Sequence, residues 1–208
     1  MTGFSKIYSI LDAPAVHNTV QKVLSLGKGT EIMSSAIRTV MKPKAHERVL
    51  DMGCGTGRYA SLFDCRYVGV DLNEKFLRFG AQQKGISDSH SFVLANIKDW
   101  AFKEGSFDYV LCVGVLHHLP NSLVSILLEN FKKVLKKGGK ACILEPIYPQ
   151  NRWNIPGQIL FALDRGEFTR TKQKLDPLMR EQGYSDGAYQ IPAAESFPQE
   201  VWIYEYAA

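Results

Sequence analysis

The stretch Glu47–Arg58, E-R-V-L-D-M-G-C-G-T-G-R, contains the most informative pattern of this chain. A short apolar run, Val49-Leu50, is followed by Asp51 and then by glycines at positions 53, 55 and 57. This pattern predicts a strand, a glycine turn and a helix that starts near Tyr59. Glycine at every second position permits positive φ and lets a ligand approach the main chain, because no Cβ intervenes. The turn is therefore a candidate ligand-binding loop.

The spacing of these glycines argues against two other phosphate-binding loops. A dinucleotide fingerprint, G-x-G-x-x-G, needs its third glycine at the position where this chain has Arg58. A Walker loop needs G-K-S or G-K-T, and the chain has neither. The turn is thus not expected to bind NAD or to act as a Walker loop.

Length and composition are those of one globular domain. The chain has 208 residues, of which 45% are hydrophobic and 22% charged, enough for a sizeable core. No apolar stretch approaches the roughly 20 residues that cross a bilayer, and the N-terminus lacks the layout of a secretory signal. We expect a soluble, cytoplasmic protein with no membrane partner.

The charged residues and cysteines point to no special partner. The formal net charge is +4, and its densest cluster lies along and just past a predicted helix, where lysines are commonly solvated. We therefore expect no nucleic-acid partner. The four cysteines are scattered without a C-x-x-C pair, which favours buried free thiols over disulfides or metal ligands. The lysines of the cluster are Lys132, Lys133, Lys136, Lys137 and Lys140, and the cysteines are Cys54, Cys65, Cys112 and Cys142.

A second strand, Tyr67–Asp71, ends on an acid 14 residues beyond Gly57. A carboxylate at the carboxyl end of this strand can accept hydrogen bonds from both hydroxyls of an adenosine ribose. The alternative is that Asp71 caps the helix predicted from Asn73 to Lys84. Because the glycine turn precedes it, we favour the ribose interpretation.

Three further elements follow in the order that an alternating α/β fold requires. His90–Ala95 reads as a third strand, and Phe107–Val113 is a nearly continuous apolar strand of the kind buried on both faces. The fourth strand opens into Gly114–Leu119, which contains His117 and His118, and a helix is predicted from about Ser122 to Leu135.

Residues 47 to 147 resemble the small-molecule class I S-adenosylmethionine-dependent methyltransferases. The resemblance rests on D-x-G-x-G-x-G, on F-D-Y-V-L-C-V-G-V-L-H-H-L and on K-K-G-G-K-A-C-I-L-E-P, in that order and at the family's spacing. It implies a doubly wound, mostly parallel, seven-stranded Rossmann-like α/β sheet with S-adenosylmethionine as the cofactor. It also implies that the cofactor is bound by Asp51, Gly53, Cys54, Gly55, Gly57, Asp71, Leu72, Asn96, Ile97 and Val113.

One of these positions departs from the family pattern. The residue after the third strand is commonly an aspartate that meets the adenine amino group, and this chain has Asn96 there. An amide oxygen can still accept that hydrogen bond. There are two alternatives. Asp99 contacts the adenine instead, or Asn96 is an ordinary turn residue.

The three parts of the predicted domain, residues 1–208, have different roles. Residues 1–45 form a helical cover with helices Ala15–Leu26 and Thr30–Met41, and residues 46–146 form the cofactor-binding core. Residues 147–208 supply a substrate-side loop, helices at Gly157–Leu163 and Thr171–Gln182, and a terminal hairpin. The strands of this hairpin are predicted at Tyr184–Ile191 and Glu200–Tyr206.

Methyl transfer from a sulfonium mainly requires that nucleophile and methyl carbon be held in line. A hydroxyl nucleophile benefits from a base, and His117 and His118 are the candidates, with capping or packing as the alternative. No metal is expected, because adjacent histidines rarely bind one ion. Tyr8, Tyr148 and Arg165 are candidate substrate contacts, with packing as the alternative for Tyr8. Asp164, Arg165 and Arg170 are candidates for recognising a polar or anionic substrate, and a surface ion-pair loop is the alternative.

We therefore interpret the chain as an S-adenosylmethionine-dependent methyltransferase that acts on a small molecule. Two alternatives stay open, namely methylation of RNA or protein and a noncatalytic protein that binds S-adenosylmethionine. The chain lacks N-P-P-Y, D-P-P-Y and a Pro-Cys dipeptide, so DNA methylation is not expected. The sequence leaves the oligomeric state open.

Overall fold

The computed structural model of the protein describes residues 29–96, 101–163, 166–192, 195 and 198–208. Seven strands form one sheet with the order β3-β2-β1-β4-β5-β7-β6. The first five strands pair in parallel, and β7 runs antiparallel to both β5 and β6. The strands are β1 Arg48–Met52, β2 Arg66–Asp71, β3 His90–Leu94, β4 Phe107–Val113, β5 Leu135–Ile147, β6 Ser185–Asp186 and β7 Glu200–Ala207. The predicted doubly wound, mostly parallel, seven-stranded sheet is confirmed.

Helices flank the sheet, and two short 3₁₀ turns follow strands β1 and β4. The turns are Ala60–Leu62 and Leu116–His118. The helices are α1 Gly29–Val40, α2 Glu74–Gly80, α3 Asn121–Val134, α4 Ile155–Leu163 and α5 Lys172–Glu181. None of the helices in the described ranges has the length and apolar character needed to cross a bilayer.

Alternate residues of the central strands pack on opposite faces of the sheet, because side chains alternate along a strand. Leu50 and Val110 belong to a cluster that includes residues of α3 and α5. Val49 and Leu111 belong to a second cluster, which includes Ile37 of α1. A parallel sheet covered on both faces explains why the strands read as continuous apolar runs.

The order of strands reverses between β1 and β4. The chain leaves β1 toward β2 and β3 on one side and returns through β4 to β5 on the other. Ligands of open α/β sheets bind in the crevice beyond the carboxyl ends of the strands at such a reversal. The fold therefore places the glycine turn, the end of β2 and the turn after β4 around one crevice. We call this last turn, Gly114–Leu119, the histidine turn.

Two helices are shorter than predicted. The helix expected near Tyr59 is only the 3₁₀ turn Ala60–Leu62, because β2 already begins at Arg66. The helix predicted to reach Lys84 ends at Gly80, after which Gln82 and Gln83 donate to carbonyls three residues back, which tightens the chain out of the α-helix.

The strand predicted at Tyr184–Ile191 shrinks to Ser185–Asp186. The Gln190 side chain replaces the backbone ladder beyond it. Its Nε2 donates to the Ile203 carbonyl over 2.8 Å, and its Oε1 accepts from the Ile203 N–H over 3.0 Å. The four cysteines are free and buried, as predicted.

Candidate active site

The glycine turn after β1 has positive φ at Gly53, Gly55 and Gly57, with angles of 76°, 54° and 68°. A Cβ at Gly53 would lie 2.3 Å from a Val115 methyl, and one at Gly57 would lie 2.9 Å from Phe92. A Cβ at Gly55 would meet nothing within 4 Å. Two of the glycines therefore allow close packing, and Gly55 alone leaves open space for a ligand.

Asp71 at the end of β2 faces this turn. Its Oδ2 accepts from the Gly55 N–H over 2.8 Å, and its Oδ1 accepts from the Asn73 N–H over 2.8 Å. The cap of α2 is the Asn73 side chain, which accepts from the N–H groups of Lys75 and Phe76. Asp71 is thus fixed beside the glycine turn, and each carboxylate oxygen keeps a lone pair for a further donor.

Asp51 lies at the carboxyl end of β1, is 1% exposed and lines the same cavity. Its Oδ2 accepts from the Tyr67 hydroxyl over 2.6 Å. The pKa of Asp51 is raised to about 7, mainly because burial disfavours the charged form. The Tyr67 hydrogen bond opposes this rise, and the charge of Asp71 adds a smaller one. A buried carboxyl of this kind is a ready partner for a cation that enters the cavity.

Tyr67 was not among the predicted site residues, although the sequence contained one signal for it. Glycine inside a strand often marks a close approach, and Gly69 lies two residues after Tyr67. A Cβ at Gly69 would lie 3.0 Å from the Tyr67 ring and 2.8 Å from Cys54 Sγ. Gly69 therefore makes room for the tyrosine that reaches Asp51.

The turn after β4 is held by Glu145 of β5, which is 2% exposed. Its Oε2 accepts from the N–H groups of Val115 and Leu116 over 3.2 and 3.1 Å. Its Oε1 lies 2.9 Å from the His117 backbone nitrogen and 2.6 Å from His117 Nδ1. Because a carboxylate can only accept, it favours the tautomer with a proton on Nδ1.

The two histidines of the turn differ in accessibility. His117 is 2% exposed, whereas His118 is an exposed residue, and both line the cavity. Their rings lie 4.1 Å apart between centroids and are tilted by 46°. His118 is therefore the more accessible of the two rings, and the His117 ring packs against it.

The cavity at the carboxyl ends of the strands has a volume of about 660 Å³. Nine predicted site residues line it, namely Asp51, Gly53, Cys54, Gly55, Asp71, Leu72, Val113, His117 and His118. Gly57, Asn96 and Tyr148 are described but are not among the lining residues. Tyr8, Ile97 and Arg165 lie outside the described residues, as do Asp99 and Asp164.

Tyr148 and Arg170 pack elsewhere than the substrate-side predictions suggested. The Tyr148 ring lies 5.6 Å from that of Phe161, between centroids. Arg170 is 8% exposed and donates to backbone carbonyls of the histidine turn, so it is not part of a surface ion-pair loop. Phe76, Ile191 and further apolar residues that the sequence did not single out line the cavity instead.

The residues present fit S-adenosylmethionine. Gly55 leaves backbone open to a ligand, Asp71 can accept from two ribose hydroxyls, and Asp51 can face an ammonium group. The exposed Leu72, which follows Asp71, offers an apolar surface to an adenine ring.

Comparison with known proteins supports the same cofactor. A family model described as a methyltransferase domain matches residues 50–143. The ubiquinone/menaquinone biosynthesis C-methyltransferase UbiE of Rhizobium meliloti is 30% identical over 164 residues, which cover 69% of this chain and 62% of that protein. Phosphoethanolamine N-methyltransferase 1 of Arabidopsis thaliana is 32% identical over 108 residues, which cover 50% of this chain and 22% of that protein.

A solved structure shows the same fold. The S-adenosylmethionine-dependent methyltransferase of Mesorhizobium loti superposes with a TM-score of 0.66 at 17% identity, covering 86% of this chain and all of that one. The chain spans less than two thirds of the length of the two curated relatives. The family model includes the ends of β1, β2 and β4, where the cavity lies, so this part of the chain is a methyltransferase domain with the fold of the class I S-adenosylmethionine-dependent methyltransferases.

Proposed function

We propose that this protein transfers a methyl group from S-adenosylmethionine to a small molecule that carries an O–H or N–H nucleophile. The observation that carries the proposal is the meeting of Gly55, Asp71, Asp51 and His118 in one cavity at the reversal of strand order. When bound, S-adenosylmethionine supplies an activated methyl group on a sulfonium. The protein then has to hold the two reactants in line and accept one proton.

Each cavity residue has a separate task in this proposal. Asp71 accepts from the ribose hydroxyls, and the backbone at Gly55 lies against the amino-acid part of the cofactor. Asp51 pairs with the ammonium group. His118 takes the proton of the acceptor at an imidazole nitrogen, and His117, held by Glu145, keeps that ring in place.

The other half of the cavity indicates the kind of acceptor. Pro146 of β5 and Val201 of β7 are paired neighbours and line the cavity together with Ile191, on the side of β1 away from Asp71. Ile32 and Met33 of α1 also line it. This apolar wall favours an acceptor with an apolar body whose nucleophile points toward His118.

The lysine cluster gives little support to an RNA substrate. Lys140 pairs with Tyr109 near the start of β4, whereas the cavity lies at Val113, at the other end of that strand. Within the cluster, Lys136 Nζ lies 2.7 Å from Asp108 and Lys132 Nζ lies 2.6 Å from Glu129. The lysine cluster and the cavity therefore lie at opposite ends of the strands.

The test is methyl transfer to a panel of phenols, hydroquinones, amines and their phosphorylated analogues, plus total RNA. We expect S-adenosylhomocysteine, measured by mass spectrometry, to accumulate with neutral apolar members above the rate without acceptor. Accumulation with RNA alone would support the macromolecular alternative. Cofactor binding without turnover across the panel would support a noncatalytic binder.

Asp71→Ala is expected to weaken binding of S-adenosylhomocysteine by about 1 to 3 kcal/mol, because charge-assisted hydrogen bonds to the ribose are lost. Isothermal titration calorimetry measures the change. Asp88→Ala, an exposed acid between α2 and β3, is the matched control and should bind as the wild type does. An unchanged affinity in Asp71→Ala would refute the ribose assignment.

Cofactor affinity is expected to rise with pH between about 5 and 7. Burial raises the pKa of Asp51 to about 7, so this carboxyl is mostly protonated at pH 6. An ammonium group, which stays protonated in this range, binds the carboxylate form, so binding releases a proton. The dissociation constant should fall roughly tenfold per pH unit below 7. Asp51→Asn should flatten this dependence, and an identical slope in that variant would contradict the assignment.

A further inference from the structure

The guanidinium of Arg170 is enclosed by the turn that carries the histidines. Nη1 donates to the Leu116 and Phe168 carbonyls over 2.8 and 2.9 Å, and Nη2 donates to the Leu119 carbonyl over 2.7 Å. Nε and Nη2 both donate to Asn121 Oδ1, over 2.9 and 2.7 Å. All five hydrogen bonds go to neutral oxygens within one small region.

Two of these acceptors bracket the histidines in sequence, since Leu116 precedes His117 and Leu119 follows His118. The Leu116 carbonyl also accepts from the Leu119 N–H over 3.1 Å, which closes the turn. Glu145 binds the N–H groups on the opposite side of the same turn. The turn is thus held by an anion at its N–H groups and by a cation at its carbonyls.

The segment that carries Arg170 also touches His117 directly. The Phe168 N–H donates to the His117 carbonyl over 2.9 Å. A Cβ at Gly166 would lie 2.6 Å from His117 Cδ2, so the backbone there packs against the imidazole. The Tyr148 N–H donates to the Arg170 carbonyl over 2.8 Å, which ties the segment to the end of β5.

We propose that Arg170 is a positioning residue that, opposite Glu145, fixes the turn so that the His118 imidazole is held at the cavity wall. The inference rests on the proposed function, in which His118 accepts the proton of the acceptor. Arg170 does not line the cavity and acts only through the turn.

The geometry requires arginine rather than lysine. The planar guanidinium places donors on separate edges, so it reaches the carbonyls of Leu116 and Leu119 and the Asn121 amide oxygen at the same time. A lysine ammonium donates from one point and can serve only part of this set. Arg170→Lys should therefore restore only part of what Arg170→Met loses.

The test compares Arg170→Met, Arg170→Lys and Asn121→Ala with the wild type, and uses Arg180→Met as the matched control. Arg180 is an exposed arginine in α5. The first readout is the NMR titration of the His118 ring and its nuclear Overhauser contact with the His117 ring, since the two centroids lie 4.1 Å apart. The second is calorimetry with S-adenosylhomocysteine, and the third is turnover with the acceptor panel.

In Arg170→Met we expect the His118 titration midpoint to move and the contact with His117 to weaken. Turnover should fall about tenfold to hundredfold, because a misplacement of about 1 Å has an effect of that size. The dissociation constant of S-adenosylhomocysteine should stay within about twofold. Arg170→Lys and Asn121→Ala should give intermediate values, and Arg180→Met should match the wild type.

An unchanged His118 titration and ring contact in Arg170→Met would overturn the inference. If that variant does not fold, Asn121→Ala decides in the same way, since it removes only one of the acceptors. Failure of the proposed function would look different, because the wild type would then not bind S-adenosylhomocysteine or would bind it without turnover.

Discussion

Gly55→Val is expected to abolish cofactor binding while the fold survives. Gly55 has a φ of +54°, lines the cavity, and would have no atom within 4 Å of an added Cβ. The valine methyl groups would occupy the space that the cofactor needs, and a branched side chain is strained at positive φ. We expect the dissociation constant of S-adenosylhomocysteine in calorimetry to rise more than about 100-fold, or about 3 kcal/mol.

Gly105→Val separates backbone strain from ligand exclusion. Gly105 has a φ of +62°, also has no atom within 4 Å of an added Cβ, and does not line the cavity. This control should show a similar loss of thermal stability and an affinity within about twofold of the wild type. Normal cofactor binding by Gly55→Val would mean that the turn does not contact the ligand.

His118→Gln is expected to lower the turnover number by about 10² to 10⁴, the usual contribution of a general base. Of the two histidines that line the cavity, His118 is exposed and His117 is 2% exposed, so we assign the base to His118. Binding of S-adenosylhomocysteine should change less than about twofold, since we propose that the cofactor binds at the ends of β1 and β2. Steady-state kinetics and calorimetry measure the two quantities.

His46→Gln is the matched control for that variant, since His46 is exposed in the turn before β1 and does not line the cavity. Its turnover should equal that of the wild type. Unchanged turnover in His118→Gln would show that positioning alone drives the reaction, or that the proton leaves to another group.

The meeting of Asp51, the glycine turn and Asp71 at one cavity could be predicted because it depends on short stretches of sequence. The apolar run before Asp51, the glycines after it and the acid at Asp71 are local patterns, and parallel strands bring their carboxyl ends together. The sequence did not show which of the three glycines leaves space for a ligand. The packing of Gly53 on Val115 and of Gly57 on Phe92 joins residues distant in the chain.

Glu145 and Arg170, which hold the histidine turn, could not be predicted, because their contacts also join residues distant in the chain. Glu145 reaches the turn only because β5 lies beside β4, with Leu144 paired to Val113. Arg170 follows a stretch with no strong periodicity, and its partners are mainly backbone carbonyls, which leave no pattern of side-chain types. Likewise, Gln190 replaces a strand ladder with its side chain.

Several sequence-based predictions concern residues outside the described ranges. The contacts of Tyr8, Ile97 and Arg165 stay predictions, as does the part of the helical cover before Gly29. Its described part, α1, supplies Ile32 and Met33 to the cavity. The division of the chain into three parts and its cytoplasmic location also stay predictions.

We propose that the adenosyl group lies across the ends of β1 and β2, and a crystal structure of the complex with S-adenosylhomocysteine would show its position. We expect both ribose hydroxyls within hydrogen-bonding distance of the Asp71 carboxylate, and the amino-acid part of the ligand against Gly55. Electron density for the ligand at any other place, or its absence from a crystal grown at saturating concentration, would contradict the account.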